Sequence, residues 1–173
     1  AAEERESVCA QCHLTGAARI ARAGRERGSF VAGQKLRDSI AIFVQEDVAL
    51  SATSHFEKLA VSKCKQASGE KLWCGTCHDA HSDSTPAHYR EQCQSCHASG
   101  ACTAKAGDDC VGCHMPRNPT RALGHLAFTD HSIRRRPQPA KASAGAGIRE
   151  FWTGQADARD TALAHAVAGL DDA

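Results

Sequence analysis

Residues 74–114 read CGTCHDAHSDSTPAHYREQCQSCHASGACTAKAGDDCVGCH, and the rest of the chain takes its meaning from the cysteines in this stretch. It holds three copies of C-x-x-C-H, at 74–78, 93–97 and 110–114, and a fourth, CAQCH, stands at 9–13. The pentapeptide is the attachment signal of c-type haem, in which both cysteines bond to the porphyrin edge and the histidine takes the iron. Two intervening residues let each pair of thiols reach neighbouring vinyl groups from one short turn, with the histidine falling under the metal. The expected cofactors are therefore four c-type haems. Cys9, Cys12, Cys74, Cys77, Cys93, Cys96, Cys110 and Cys113 would hold them, and His13, His78, His97 and His114 would be the first ligands to iron. Structural zinc draws its ligands from two half-sites and asks for no histidine after every second cysteine. A redox disulfide of the thioredoxin kind occurs once, opening a helix in a strand-rich setting that this chain does not suggest.

Composition points the same way. The chain has 173 residues, enough for one domain, and 42% of them are nominally hydrophobic. Much of that share is alanine and cysteine, and the aromatics are two tryptophans, one tyrosine and five phenylalanines. Porphyrins would supply the missing apolar bulk. The expected fold is mainly α with much irregular loop and little β, a small multihaem cytochrome c fold organised by its cofactors. Residues 1–137 would form the tetrahaem domain, and 138–173 a linker or strap plus a C-terminal helix.

Eight of the ten cysteines lie in the motifs, leaving Cys64 and Cys102. Haem attachment and an even remainder both imply an oxidising, extracytoplasmic compartment, periplasmic or at the cell surface, where a Cys64–Cys102 bridge is expected; two buried thiols are the alternative. The formal charge of +1 omits the haem propionates. Arg19, Arg22, Arg25, Arg27 and Arg134, Arg135, Arg136 are natural counter-charges for them, because guanidinium pairs bidentately with carboxylate; a solvated basic face is the alternative. Balanced charge and scarce aromatics argue against nucleic acid as a partner. No stretch approaches the roughly 20 apolar residues that span a bilayer. No signal peptide opens the chain, so Ala1 is read as close to a processed N-terminus or as an arbitrary boundary.

Along the chain, residues 16–38 are rich in glycine and arginine and read as irregular loop. Ile40, Ile42 and Val44 alternate in a β-prone run that predicts a short strand or hairpin. Ser54 with Glu57 makes a capping-box pattern, predicting a helix over 54–67 with Phe56, Leu59, Ala60 and Cys64 on one face. A second helix starts near Pro86 with Ser84 or Thr85 as cap, and runs into the third motif. MPRNPTRALG (115–124) is turn-rich, and RRRPQPAKASAGAG (134–147) reads as an extended strap. A last helix is expected over 157–170, with Leu163, Ala166, Val167 and Leu170 as an apolar stripe that docks on a partner or on further chain.

Six histidines lie outside the motifs: His55, His81, His88, His125, His131 and His165. Met115, the one methionine, directly follows His114 and cannot cross to the far face of its own haem, so histidine–methionine ligation is largely excluded. His81 follows His78 by one turn on the same side of that haem, so it would reach a neighbouring one. His125 and His131 lie in a segment without core periodicity, and His55 opens a capped helix. These four are the expected distal ligands, ahead of His88 and of His165, which is expected to be exposed.

The strings SHFEKLAVSKCKQASGEKLWCGTCHDAHS (54–82), YREQCQSCH (89–97), CVGCHMPR (110–117) and GHLAFTDHSIRRRP (124–137) resemble exported multihaem cytochromes c. These are often fused to tetratricopeptide repeats and are related to the tetrahaem electron acceptor of hydroxylamine oxidation. VCAQCHLTGAARI (8–20) extends the match, and residues 148–168 look like the entry to a repeat region. The resemblance implies that His55, His81, His125 and His131 are the distal ligands. It also implies that one haem can be five-coordinate. The leading expectation is an electron carrier and not an enzyme, with redox proteins as partners. The isolated first motif and the strap-like tail leave room for head-to-tail assembly into an extracellular filament. The alternative is an enzyme of nitrogen or sulfur redox chemistry at a five-coordinate haem.

Overall fold

The computed structural model describes residues 2–45, 54–98, 102, 109–119, 127–135 and 147–169. About 46% of these are helical and 14% are in strands, so the chain is mainly α with irregular loops. In chain order the elements are α1 (Ala2–His13), β1 (Ala18–Ala21), β2 (Ile40–Gln45), α2 (His55–Ala60), α3 (Lys63–Ser68), α4 (Cys74–Cys77), α5 (Pro86–Cys96), α6 (Cys110–His114), β3 (Arg117–Pro119), β4 (Ala127–Thr129), β5 (Ile148–Glu150) and α7 (Ala158–Ala168). Among the described residues no helix is long and apolar enough to cross a membrane.

Contacts divide the chain into two units, residues 1–57 with 140–173, and residues 58–139. The expected boundary after residue 137 follows the haem motifs. The contacts instead group the C-terminal segment with the N-terminal one, because β5 and α7 pack there.

The first unit has a conventional core. Its antiparallel sheet runs β1-β2-β5, with Ala18 opposite Phe43, Ala21 opposite Ile40, and Phe43 opposite Glu150. Strand β2 lies in the centre and is buried on both faces, which is why IAIFV is apolar throughout and does not alternate with polar residues. Ile40 and Ile42 pack with Ala10, Leu14 and Leu36 on one face, beneath α1. Ala41 and Phe43 pack with Ala18, Ile20 and Ala164 on the other, beneath α7. Strand β1 falls inside the segment expected to be irregular.

Helix α7 starts at Asp157, whose carboxylate accepts from the Asp160 N–H at 2.7 Å. It turns a different face inward from the one its apolar residues suggest. Asp160 and Ala164 are buried, whereas Leu163 and Val167 are 40% and 62% exposed. The cause is an ion-pair cluster. Arg22 reaches Asp160 at 3.2 Å and Glu150 at 3.3 Å, both carboxylates being fully enclosed, and its Nε donates to the Arg37 carbonyl at 2.9 Å. His165, expected to be exposed, is half-buried, and its Nδ1 is enclosed without a hydrogen-bond partner.

The second unit is built differently. Helix α5 packs against α4 and α6, and β3 pairs antiparallel with β4, Asn118 opposite Phe128. Helices α3, α4, α5 and α6 contain no buried residue at all. Among the described residues of this unit the only buried side chains are Ser62 and Asp130, and none is apolar. The helix expected over 54–67 is two helices. Ser62 restarts the chain as an N-cap, its hydroxyl accepting from the Lys65 N–H at 3.0 Å. Helix α5 matches its expectation, with Thr85 capping the His88 N–H and Pro86 in the first turn.

Candidate metal centres

Each C-x-x-C-H motif occupies the last turn of a helix. Helix α1 ends at His13 and α6 at His114, while His78 and His97 are the extended residues that close α4 and α5. Residues three apart share a helix face, so each cysteine pair projects to one side and the histidine leaves at the helix end. Local chemistry holds these short turns. The Thr76 hydroxyl accepts from the Trp73 N–H at 3.1 Å, and the Asp109 carboxylate accepts from the Gly112 N–H at 2.8 Å. The Trp73 indole lies so close over α4 that a Cβ at Gly75 would meet its ring carbons, and the indole would have to shift to admit one.

Two motif histidines face histidines from outside the motifs. In the first unit His13 and His55 have ring centroids 6.0 Å apart. In the second unit His78 and His131 are 6.1 Å apart with 25° between their planes. An iron held between two imidazoles, with metal–nitrogen bonds of about 2 Å and ring radii of about 1.1 Å, needs centroids about 6.2 Å apart. Ordinary ring packing also spans this range. In the second unit the rings are also held through Nδ1. His131 Nδ1 donates to the Thr129 carbonyl at 3.0 Å, and His78 Nδ1 lies 3.3 Å from the Tyr89 hydroxyl. His114 Nδ1 donates to the Arg134 carbonyl at 2.6 Å. Ligating histidines almost always engage their other nitrogen in this way, which directs Nε2 at the metal. Histidine nitrogens with cysteine pairs beside them are donors that could hold a porphyrin iron. Among the described residues no three His, Cys, Asp or Glu side chains converge as a protein-only metal site requires.

The other histidines divide. His88 Nε2 hydrogen-bonds the Cys77 carbonyl at 3.2 Å, which takes the nitrogen a metal would use. His81 is exposed, its backbone N–H donating to Asp79 at 2.9 Å. Among the described residues no histidine ring packs against His81, His97 or His114. His125 lies outside the described residues.

Two carboxylates organise the paired sites. Glu57, buried on α2, accepts from the Gly16 N–H at 2.9 Å, tying the turn after the first motif to the helix that begins with His55. Its carboxyl is pushed up by burial, which outweighs the hydrogen bonds from Ser54 and Gly16 and the charge of Arg149. Of the capping box expected at Ser54, only half forms, because Glu57 turns to Gly16. Asp130 is buried in the turn before His131. Burial works against its charge, but the Ser132 hydroxyl and N–H, with Lys58 and Arg134 nearby, hold its carboxyl below the ordinary range.

Three of the arginines expected to meet propionates have protein partners instead. Arg19 donates to the Leu14 and Gln11 carbonyls at the end of α1, Arg22 to the pair above, and Arg134 to Ser132 and Asp130. Arg25, Arg27 and Arg135 are exposed, and Arg136 lies outside the described residues. The expected Cys64–Cys102 bridge is absent: neither sulfur is in a disulfide. Cys64 is half-buried. Burial, then the Cys96 charge, pushes it up; burial and the charges of Cys110, Cys77 and Cys64 push Cys93 up to about 11. Sequence reasoning does not find Tyr89, Asp130 or Glu57 as site residues, because a group that acts by holding a ligand leaves no spacing signal.

No protein-family model, no curated protein and no solved structure matches this chain.

Proposed function

We propose that the chain is a tetrahaem c-type cytochrome, an extracytoplasmic electron carrier with bis-histidine haems and no catalysis of its own. The observation that supports the reading best is that all four C-x-x-C-H motifs sit at helix ends, with His13 beside His55 and His78 beside His131. The second unit adds support. A large apolar cofactor would supply the core that the described residues of this unit do not supply from their own side chains.

Bound haem supplies one-electron redox chemistry at iron. The chain's own residues do the rest. The cysteines would hold each macrocycle at a helix end, and Tyr89, Thr129 and Arg134 would orient the ligating rings through Nδ1. In this reading His81 and His125 serve the His97 and His114 sites. Two neutral imidazoles on one iron favour a low-spin centre that changes little in geometry on redox cycling, which suits conduction.

The test is export in a host that attaches haem c, followed by intact mass and electron paramagnetic resonance of the oxidised protein. Four haem additions and four low-spin centres are expected; fewer than four additions would overturn the reading. A second reading has its own observation, the absence of a histidine packed against His97 or His114 among the described residues. It makes one of these sites an open haem for nitrogen or sulfur redox chemistry. A high-spin signal that moves with nitrite, hydroxylamine or cyanide selects it. Head-to-tail assembly into a filament is a further arrangement of the carrier, and the exposed Leu163 and Val167 favour it. Discrete particles in negative stain would exclude that arrangement.

A further inference from the structure

The turn over residues 129–134 serves two motifs at once. Its first half presents His131, whose Nδ1 donates to the Thr129 carbonyl at 3.0 Å and whose ring faces His78 at 6.1 Å. Its second half holds His114 from both sides. The Arg134 N–H donates to the His114 carbonyl at 3.0 Å, and the Arg134 carbonyl accepts from His114 Nδ1 at 2.6 Å. Both polar groups of Arg134 can face one histidine because Ile133 adopts φ +43°, the left-handed region that a β-branched residue enters only under constraint.

Asp130 supplies the constraint. Its Oδ1 accepts from the Ser132 N–H at 2.9 Å and hydroxyl at 2.6 Å, and its Oδ2 accepts from Asn118 at 3.3 Å. Its own N–H donates to the Pro116 carbonyl at 2.9 Å, which fixes the turn to the segment just after the fourth motif. Lys58 at 3.8 Å and Arg134 at 3.6 Å neutralise it. The Ser132 hydroxyl also accepts from Arg134 Nε at 3.0 Å, carrying the constraint past Ile133.

We propose that Asp130 is a positioning residue for two haem sites together: through one turn it fixes the distal ligand of the His78 site and the hydrogen-bond acceptor of the proximal ligand at the His114 site. The proposal rests on the tetrahaem reading above. It predicts different effects at the two sites. Loss of the turn frees His131, so the His78 site loses a ligand. At the His114 site the ligand stays, but an imidazole without its carbonyl acceptor is less basic, so the oxidised iron is less favoured and the potential rises.

The test uses the exported, haem-loaded chain with Asp130→Ala, Asp130→Asn, Ser132→Ala and His131→Ala. Intact mass counts haems first; if the unaltered chain carries fewer than four, the tetrahaem reading fails and not the positioning role. With four attached, Asp130→Ala is expected to convert one low-spin resonance to high-spin, and to shift a second together with an upward move of one potential in a redox titration. The other two centres stay unchanged. His131→Ala should reproduce only the first change. Asp130→Asn retains an oxygen acceptor for Ser132 and should restore most of both. If Asp130→Ala cannot be isolated with four haems, Ser132→Ala decides, with smaller shifts at the same two centres. A change at one centre alone, at all four, or at none overturns the proposal.

Discussion

Gly16 is where the turn after the first C-x-x-C-H motif meets the sheet, and replacing it with alanine tests that joint. Its φ is +65°, and a Cβ there would lie 2.6 Å from the Phe43 carbonyl oxygen and 2.7 Å from Ile42 Cγ2. Both neighbours belong to the central strand, buried on each face and paired on each edge, so neither can retreat. The left-handed backbone alone costs an L-residue about 1–2 kcal/mol, and forced overlap in a packed core adds about 1–3 kcal/mol. Gly16→Ala should therefore lower the stability of the first unit by about 2–5 kcal/mol, read from urea unfolding followed by far-ultraviolet circular dichroism. Gly24 isolates the steric part. It has φ +73°, and a Cβ added there would meet nothing within 4 Å, so Gly24→Ala should cost only the backbone share of about 1–2 kcal/mol. The Gly16 N–H also donates to Glu57, so the Gly16 variant should weaken the low-spin signal of the His13 site and leave the others intact. If the two variants agree to within about 0.5 kcal/mol, the account of this joint is wrong.

Further outcomes follow from the same contacts. Arg22→Met strips the shared partner from two enclosed carboxylates, but Thr153 still serves Glu150 and Arg159 still serves Asp160, so the loss should be about 2–4 kcal/mol in chemical denaturation. Adding Glu150→Gln should recover part of it. His55→Ala and His131→Ala should each convert one low-spin centre to high-spin, at different resonances, and the double variant should convert two. A haem-free chain should keep slow amide exchange over 18–21 and 40–45 and lose it over 86–96, because only the first unit has an apolar core among its described residues. Protected amides in α5 without haem would contradict the cofactor-filled second unit.

Local rules succeed where a short-range signal decides the structure. The motifs, the apolar run of β2 and the Thr85–Pro86 start of α5 are of this kind. They fail where a polar group finds a distant partner. Glu57 has the spacing of a capping residue and instead holds Gly16, forty-one positions away. The arginines look available for propionates because their carboxylate and carbonyl partners lie far off in sequence. Ser62 breaks a helix that periodicity runs straight through, since a serine that caps the next turn competes with continuing the last one. Strands β1 and β5 are too short to carry a period and exist because β2 has two edges to satisfy.

The sheet of the first unit takes its strands from both sides of the last three motifs. Residues 148–150 complete an edge of the strand at 40–45, and the helix over 158–168 covers one face. A chain that emerges N-terminus first cannot close this sheet until every C-x-x-C-H has already emerged. The order of the strands thus works as a timer: Cys9 and Cys12 remain on an open, unfinished scaffold until residues 148–168 arrive, so the sheet closes only after the last C-x-x-C-H has been made.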